Sequence, residues 1–259
     1  MYKQKLAAAS FVRKSKLIIG LDLVADMCTP SGRRAERDRV ESKALSVINA
    51  TADYAAAYKF NRHLVLPVGL FDGVPKLLDA IHDLGLSAIM DCKINDIGDT
   101  NAQIATSYFD AGFDAVIANP FVGWDGGLEP VYSVARKKDA GVITLCYMSH
   151  PAANEGYGLY ATQDEKGKDT EPMYKIFARR ARIWESDGVI VGATYPEIIR
   201  EVRKILGADI PIISPGVGAQ GASAKEAIDA GASYIIAARS IVNADDPSAA
   251  ARSLVDEMR

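Results

Sequence analysis

Eight short apolar runs recur along the chain, and longer segments with charged faces and helical periodicity separate them. Nearly continuous apolar runs are typical of strands that are buried on both faces of a parallel sheet. Strands that alternate with helices predict parallel βαβ units. The predicted strands are 17–23, 55–60, 87–91, 115–119, 142–147, 188–191, 210–214 and 234–238, and the predicted helices are 37–54, 74–84, 101–111, 173–186, 196–206, 222–230 and 249–258.

Eight such units in 259 residues fit a closed (β/α)8 TIM barrel, which we predict as a single α/β domain over residues 1–259. An open, doubly wound sheet is the alternative, but no G-x-G-x-x-G follows the first predicted strand. The polar segment 151–172 is too long for the short-loop pattern. Loops of this length are usually functional or disordered, so a lid over a substrate and a tolerated insertion both stay open.

Composition and charge point to an ordinary globular protein. Hydrophobic residues make up 49% and charged residues 24%, with a formal net charge of −3 and no basic tract. Neither a nucleic acid nor a membrane surface is therefore expected as the main partner. The apolar run in residues 1–12 is too short for a signal peptide. Cys28, Cys92 and Cys146 are odd in number and widely spaced, which favours reduced thiols and a cytoplasmic location.

Polar or charged residues occupy the carboxyl ends of six of the eight predicted strands. In a barrel these ends converge on one mouth, where active sites form. In chain order they are Asp22; Lys59 with Asn61; Asp91 with Lys93; Ser149-His150-Pro151; the turn Ser214-Pro215-Gly216-Val217-Gly218-Ala219-Gln220-Gly221; and Arg239-Ser240. Packing alone does not explain so many polar groups, so we expect the site at this end.

The third of these strand ends carries the densest chemistry. Asp91 and Lys93 share one face of the strand, whereas Asp96 and Thr100 lie beyond it. Lys59, Asp91, Lys93 and Asp96 form a set of alternating charges, and their opposite signs neutralise one another in a dry pocket. Nearby carboxylates keep Lys93 cationic, which suits an acid or an electrostatic stabiliser rather than a Schiff-base nucleophile. The structural alternative is an ion pair that only closes the end of the sheet.

The last two strand ends predict a phosphate site. Gly216, Gly218 and Gly221 allow close backbone approach, and the helix that follows them offers N–H donors to an anion. Arg239 at the neighbouring strand end supplies a charged, bidentate donor. The loops after strands seven and eight are the usual phosphate position in this fold.

The run from Asp91 to Thr100, DCKINDIGDT, resembles the signature of the orotidine 5′-phosphate decarboxylase family. The resemblance extends to Leu21-Asp22-Leu23, Lys59, the Ser-His-Pro turn at 149–151, the 214–221 turn and Arg239-Ser240-Ile241, and it spans residues 17–250. It implies a metal-free and cofactor-free barrel that acts as a homodimer. Such an enzyme converts orotidine 5′-monophosphate (OMP) to UMP and CO2.

The resemblance also implies residue roles. Lys93 would protonate C6 of the pyrimidine, and Lys59, Asp91 and Asp96 would complete the charged array. Asp96, Ile97 and Thr100 would reach the partner subunit's site. The remaining predicted contacts are Asp22 with Lys59 to the ribose, Ser149 to the pyrimidine edge, and Pro215, Gly218, Gln220, Ala238 and Arg239 around the phosphate. The family often has Gly where this chain has Ala238, which leaves the local phosphate geometry open.

Two other functions remain open at this point. The first is an Mg²⁺-dependent 3-keto-L-gulonate 6-phosphate decarboxylase or hexulose phosphate synthase, which shares the Asp-x-Lys-x-x-Asp core. Asp22, Asp91 and a further carboxylate would then hold the metal, but Ile97, Thr100 and Gln220 favour a nucleotide. The second is a non-catalytic nucleotide-binding barrel. Such proteins usually lose a member of the charged array, and none is missing in this chain.

Overall fold

The computed structural model describes residues 2–27, 29–162, 170–218 and 220–259, so Cys28 lies outside the described residues. Its strands are β1 Leu17–Gly20, β2 Ala57–Asn61, β3 Ser87–Ile94, β4 Ala115–Ala118, β5 Gly141–Tyr147, β6 Tyr160–Thr162, β7 Thr170–Pro172, β8 Gly188–Val191, β9 Ile212–Pro215 and β10 Tyr234–Ala237. Strands β1–β5 and β8–β10 form a closed parallel barrel. Ile18 closes the ring, since it is in register with Ala57 on one side and Ile236 on the other. The predicted (β/α)8 barrel is confirmed.

The helices of the described residues are α1 Tyr2–Arg13, α2 Arg33–Thr51, α3 Arg62–Val68, α4 Val74–Asp83, α5 Gly98–Asp110, α6 Glu129–Lys137, α7 Met173–Ile183, α8 Pro196–Leu206, α9 Ala224–Asp229, α10 Arg239–Val242 and α11 Pro247–Glu257. All seven predicted helices are present; α8 has the predicted bounds, and the other six are shifted at one or both ends. The sequence patterns missed α1, α3, α6 and α10. None of the helices in the described part of the chain is long and apolar enough to cross a membrane.

Apolar side chains fill the barrel interior, and α1 covers its amino-terminal end. Tyr2 and Leu6 of this helix are fully buried against the interior layer, which includes Ile18, Ile143 and Ile213. The fit against β5 is close, because a Cβ on Gly141 would lie 2.8 Å from Cγ of Tyr2. Packing of this density fills the barrel interior beneath α1.

The outer layer buries the two tryptophans. The rings of Trp124 and Trp184 lie 5.2 Å apart and pack with Tyr132 between the helices and the barrel. The guanidinium of Arg180 lies over Trp184 and donates to the carbonyl of Pro120 at 2.7 Å. Both tryptophans therefore pack the outer layer and lie outside the lining of the cleft at the mouth.

The long segment 151–172 contains a short 3-10 helix, Pro151–Glu155, and the antiparallel pair β6–β7. Its residues 163–169 lie outside the described part of the chain. Tyr157 anchors the segment, since its ring packs on Tyr147 at 5.8 Å and on Phe177 at 6.2 Å. None of the described residues of this segment lines the cleft at the mouth.

Candidate active site

An irregularity in β3 aims the central acid and base toward the barrel mouth. The four residue steps of β3 from Met90 to Ile94 are matched by only two steps of β4, from Val116 to Ala118. Within this bulge Lys93 has a φ of +49°, in the left-handed region that side chains other than glycine seldom adopt. Strained backbone of this kind is concentrated at functional sites. Cys92 is buried on the other face, with Sγ 3.6 Å from the carbonyl oxygen of Ile117.

Four charged groups from three neighbouring strand ends meet at the mouth. Lys93 Nζ lies 2.6 Å from Asp91 Oδ1, and Lys59 Nζ lies 3.3 Å from Asp91 Oδ2. Lys59 Nζ also lies 3.6 Å from Asp22 Oδ1. Lys59 is only 5% exposed, so its charge is held by these two carboxylates rather than by water. The structure therefore brings together Asp22, Lys59, Asp91 and Lys93, as the sequence predicts.

Asn61 links two members of this array. Its side-chain oxygen accepts a hydrogen bond from Lys59 Nζ, and its side-chain NH2 donates to Asp22. The amide thus connects a cation to an anion without adding charge. The sequence indicates Asn61 as a polar residue at a strand end but assigns it no role. Its position two residues after Lys59, on the same face of β2, is the signal that could have indicated this contact.

The electrostatics keep Asp91 ionised. Burial would raise the pKa of this carboxyl, but the charges of Lys59 and Lys93, together with their hydrogen bonds, outweigh burial and lower it. A carboxylate with a lowered pKa carries its full negative charge at neutral pH. The mouth therefore presents alternating fixed charges to whatever enters it.

The array forms one wall of a cleft of about 760 Å³, a volume that includes space open to solvent. Apolar side chains from the barrel interior form its floor, namely Ile117, Leu145, Met148, Ile190 and Ile236. Ser149, Pro215, Gly216, Gln220, Ala238 and Arg239 form the rest of the wall. A ligand here would meet charges on one side, an apolar floor below and the two last strand ends opposite.

The turn after β9 needs its glycines. Gly216, Gly218 and Gly221 have φ values of +109°, +76° and +82°, and a Cβ on Gly218 would lie 2.6 Å from Ser240 Oγ. Gly218 itself does not line the cleft, and Ala219 lies outside the described residues. Arg239, in the first turn of α10, is exposed, and its guanidinium makes no hydrogen bond or ion pair with any residue that the structure describes.

One part of the predicted phosphate site is wrong. We expected the helix after the glycine turn to offer its N–H groups to an anion. Instead Ser223 caps α9 by accepting from the N–H of Glu226, and Glu257 accepts from the N–H of Ala224 at 2.9 Å. The amino end of α9 is therefore satisfied by the chain itself.

Ala238 fits without a glycine backbone. Its φ is −133°, outside the left-handed region that favours glycine. Space for its methyl group exists because residue 20 is glycine, since a Cβ there would lie 2.8 Å from Cβ of Ala238. The departure from the family pattern at Ala238 is thus matched by Gly20 on the adjacent strand.

The Ser-His-Pro turn is held by the loop after β8. Thr194 Oγ1 donates to the carbonyl of Ser149 at 3.0 Å, and the Tyr195 hydroxyl donates to that of His150 at 2.9 Å. Ser149 lines the cleft, whereas the exposed His150 does not. Sequence reasoning missed Thr194 and Tyr195, because hydroxyl groups in a loop carry no pattern that assigns them to a distant turn.

Asp96, Ile97 and Thr100 lie outside the cleft of their own chain. All three are exposed, and Ile97 is 69% exposed. The Asp96 carboxylate accepts from the N–H of Ile97 at 2.7 Å and forms no hydrogen bond or ion pair with the charged array. The three residues thus lie outside the cleft that the other four line, although Asp96 and Lys93 border a neighbouring pocket.

A closed (β/α)8 barrel with an alternating charge array in its mouth defines the class of barrel enzymes whose site is built on strand ends. The family described as Orotidine 5'-phosphate decarboxylase / HUMPS family matches residues 15–254. This chain belongs to that family.

Individual relatives agree with this assignment. The orotidine 5'-phosphate decarboxylase of Pyrococcus abyssi is 40% identical over 219 residues, which cover 85% of this chain and 94% of the relative. That of Methanococcoides burtonii is 35% identical over 246 residues, which cover 95% and 98%. Among solved structures, orotidine 5'-monophosphate decarboxylase from Methanocaldococcus jannaschii, complexed with the inhibitor BMP, has a TM-score of 0.76 and 27% identity, covering 95% of this chain and 99% of its own.

Proposed function

We propose that this chain decarboxylates OMP to UMP and CO2 in pyrimidine biosynthesis, without a metal ion or an organic cofactor. The observation that carries the proposal is the array of Asp22, Lys59, Asp91 and Lys93 above an apolar floor. Relatives that are 33–40% identical to this chain are named orotidine 5'-phosphate decarboxylase, which supports the proposal. Within the described residues, no three His, Cys, Asp or Glu side chains come together to hold a metal ion.

In this proposal the substrate lies across the cleft from the glycine turn to β3. Arg239 and the backbone of the turn that contains Gly216 and Gly218 hold the phosphate, with Gln220 closing over the base. Asp22 and Lys59 contact the ribose hydroxyls. Ser149 contacts the pyrimidine edge, and the flat ring covers the apolar floor. Phosphate binding far from the reacting carbon would order the cleft, so that remote binding energy serves the reaction.

The reaction then needs only fixed charges and one proton. The bond between C6 and the carboxylate breaks, CO2 leaves, and the electron pair stays on C6. The Lys93 ammonium stabilises this developing carbanion and then transfers a proton to C6. Solvent reprotonates the neutral lysine. Asp91, which is ionised and 2.6 Å from Lys93, holds the ammonium in place and repels the carboxylate of the bound substrate.

The proposal includes a homodimer in which Asp96, Ile97 and Thr100 enter the partner's cleft. Their exposure and their absence from the lining of their own cleft support this arrangement. It predicts complementation between two inactive variants, Lys93→Ala and Asp96→Ala. In their heterodimer, one cleft keeps Lys93 and receives an intact Asp96, so about half of the activity returns. No recovery in a verified heterodimer would place Asp96 in its own subunit's site.

A cytoplasmic location is part of the same proposal. Cys92 and Cys146 are buried and free, as is expected of thiols in a reducing compartment. Burial raises the pKa of both thiols, to about 12 for Cys92, so neither is a reactive nucleophile at neutral pH.

The reaction is tested by mixing the purified protein with OMP in EDTA and following the loss of orotate absorbance, with UMP identified as product. The proposal predicts rapid loss that EDTA does not slow. A parallel reaction contains 3-keto-L-gulonate 6-phosphate and Mg²⁺ and is followed by CO2 release. Turnover of the sugar phosphate alone would contradict the proposal and void the roles given to Ser149 and Gln220.

A further inference from the structure

Asn101 is a fully buried polar residue in the first turn of α5. Its side-chain oxygen accepts from the N–H of Asp96 at 2.9 Å. Its NH2 group donates to the carbonyl of Asp96 at 2.5 Å and to that of Gly127 at 3.0 Å. One amide thus binds both backbone groups of Asp96 and ties them to the turn before α6.

A buried amide is costly unless its hydrogen bonds are made, and an apolar residue would fill this helix position at lower cost. The neighbouring backbone supports the same connection. A Cβ on Gly98 would lie 3.2 Å from the carbonyl carbon of Gly126, so the two segments are in close contact. The three hydrogen bonds therefore fix the segment 96–98 against the turn 126–127.

The segment that Asn101 fixes is the one that displays Asp96 and Ile97 away from their own cleft. Asp96 also bonds its own neighbour, with the carboxylate 2.7 Å from the N–H of Ile97. The outer face of the segment is thus exposed while its inner face is fixed to the body of the barrel. This combination suits a rigid support for side chains that act outside their own subunit.

We propose that Asn101 is a positioning residue, which holds Asp96 and Ile97 in the conformation that completes the cleft of the partner subunit. The inference rests on the proposed shared site. Asn101 itself touches no substrate, so its effect on turnover passes through Asp96. A displacement of about 1 Å at a reacting centre costs about 100-fold in rate, and we expect a loss of this order in kcat for Asn101→Ala.

The test separates action in the partner's cleft from action in the residue's own cleft. Asn101→Ala and Lys93→Ala chains carry different tags, are co-expressed, and are purified as heterodimers. One cleft of such a dimer keeps Lys93 and receives an intact Asp96 segment from the other chain, so about half of the wild-type activity returns. The heterodimer of Asn101→Ala with Asp96→Ala stays inactive, because both clefts receive a damaged segment.

Controls keep the result interpretable. Thr51→Ala removes another fully buried side chain with two hydrogen bonds, far from the mouth, and leaves kcat within about twofold. If Asn101→Ala does not fold, Asn101→Ser takes its place, since its short hydroxyl adds no buried charge and cannot make all three hydrogen bonds of the amide. It is expected to show the same complementation.

Three outcomes overturn the inference, and the first two are distinguishable from each other. If Asp96→Ala complements Lys93→Ala but neither Asn101 variant does, Asn101 acts within its own subunit and only the inference fails. If no pair complements, the shared site of the proposed function fails with it. A kcat for Asn101→Ala equal to that of the wild type would also overturn the inference.

Discussion

The two ends of the barrel use polar groups differently. At the carboxyl end, Lys59 and Asp91 are held by other charges, and Lys93 sits on strained backbone. At the amino end, α1 packs Tyr2 onto Gly141, and some carboxylates bond to backbone N–H groups instead of to charged side chains. The Asp187 carboxylate, for example, accepts from the N–H groups of Lys3 and Val142, both at 3.2 Å.

The comparison indicates which end of the barrel mainly stabilises the fold and which end carries out the reaction. Backbone hydrogen bonds and close packing at the amino end act locally and stabilise the barrel. The charges at the mouth satisfy one another only across β1, β2 and β3, so each loss leaves a charge unpaired. Substitutions at the mouth should therefore change turnover first, and those at the amino end should change only stability.

The largest effect is expected from Asp91→Ala. The change leaves Lys59 and Lys93 without their shared carboxylate, so turnover of OMP should fall by at least ~1,000-fold and the free energy of unfolding by about 3 kcal/mol. Because the pKa of Asp91 is lowered in the folded state, its contribution is present at neutral pH and is lost as the pH falls below its usual range. Steady-state kinetics with OMP measure the loss of turnover, and urea unfolding at neutral and acidic pH measures the loss of stability and its pH dependence. An unchanged difference between wild type and variant across that range would contradict this electrostatic account.

Arg239→Ala should act on binding. The exposed guanidinium is free to meet a phosphate, and a charged hydrogen bond contributes about 1.5–3 kcal/mol, so KM for OMP should rise by roughly 10- to 100-fold. Stability should not change, since Arg239 has no partner among the described residues. Steady-state kinetics with OMP measure the effect, and Lys138→Ala, at a surface ion pair with Asp110 on the amino-terminal side of the barrel, is the control. An unchanged KM would show that the phosphate binds elsewhere.

Gly141→Ala tests the amino end. The new methyl group would meet the Tyr2 ring, so the variant should lose about 1–3 kcal/mol of stability through overpacking. Its kcat and KM for OMP should match the wild type at a temperature where both are folded. Gly156→Ala is a suitable control, because a Cβ there meets nothing within 4 Å. A loss of turnover in the folded variant would contradict the separation between the two ends.

The smallest effect concerns His82, whose Nε2 lies 3.0 Å from Asp114 Oδ2 just before β4. The hydrogen bond with Asp114 raises the pKa of His82 despite partial burial. Because the pKa of His82 is higher in the folded state, the protonated side chain stabilises the fold at a pH below the pKa of the unfolded state. This stabilisation is lost as the pH rises through the pKa of the folded state. His82→Gln should therefore cost up to about 1 kcal/mol near pH 5.5 and less near pH 8.5. Thermal unfolding of the wild type and the variant at pH 5.5 and pH 8.5 measures the two losses of stability. A larger loss at pH 8.5 than at pH 5.5 would contradict the raised pKa of His82.

Much of the fold was predictable because buried parallel strands have a strong apolar signal. The four missed helices show the limits. Pro67 interrupts the pattern of α3, α10 has only four residues, and the turn before α6 has a Gly-Gly pair. For α1, we weighed residues 1–12 only as a possible signal peptide. Each missed element depends on packing against the barrel, which a local pattern does not contain.

The site was predictable as a set of residues and not as a geometry. The types and order of Asp22, Lys59, Asp91 and Lys93 indicated charges at strand ends, but closure of the barrel decides which oxygen meets which nitrogen. Neither the bulge at Lys93 nor the capping of α9 by Glu257 follows from local sequence. The contacts of Asn61 and Asn101 are likewise visible only once distant segments are in place.

The most direct test of the account is the turnover of OMP by Lys93→Ala in EDTA, with UMP binding measured on the same preparation. The account predicts that kcat falls by at least ~1,000-fold, because the variant has lost both the charge that stabilises the carbanion and the proton donor. UMP should still bind within a few-fold of the wild-type affinity, since the phosphate contacts are intact. A Lys93→Ala variant that turns over OMP at the wild-type rate would contradict the central role of the array.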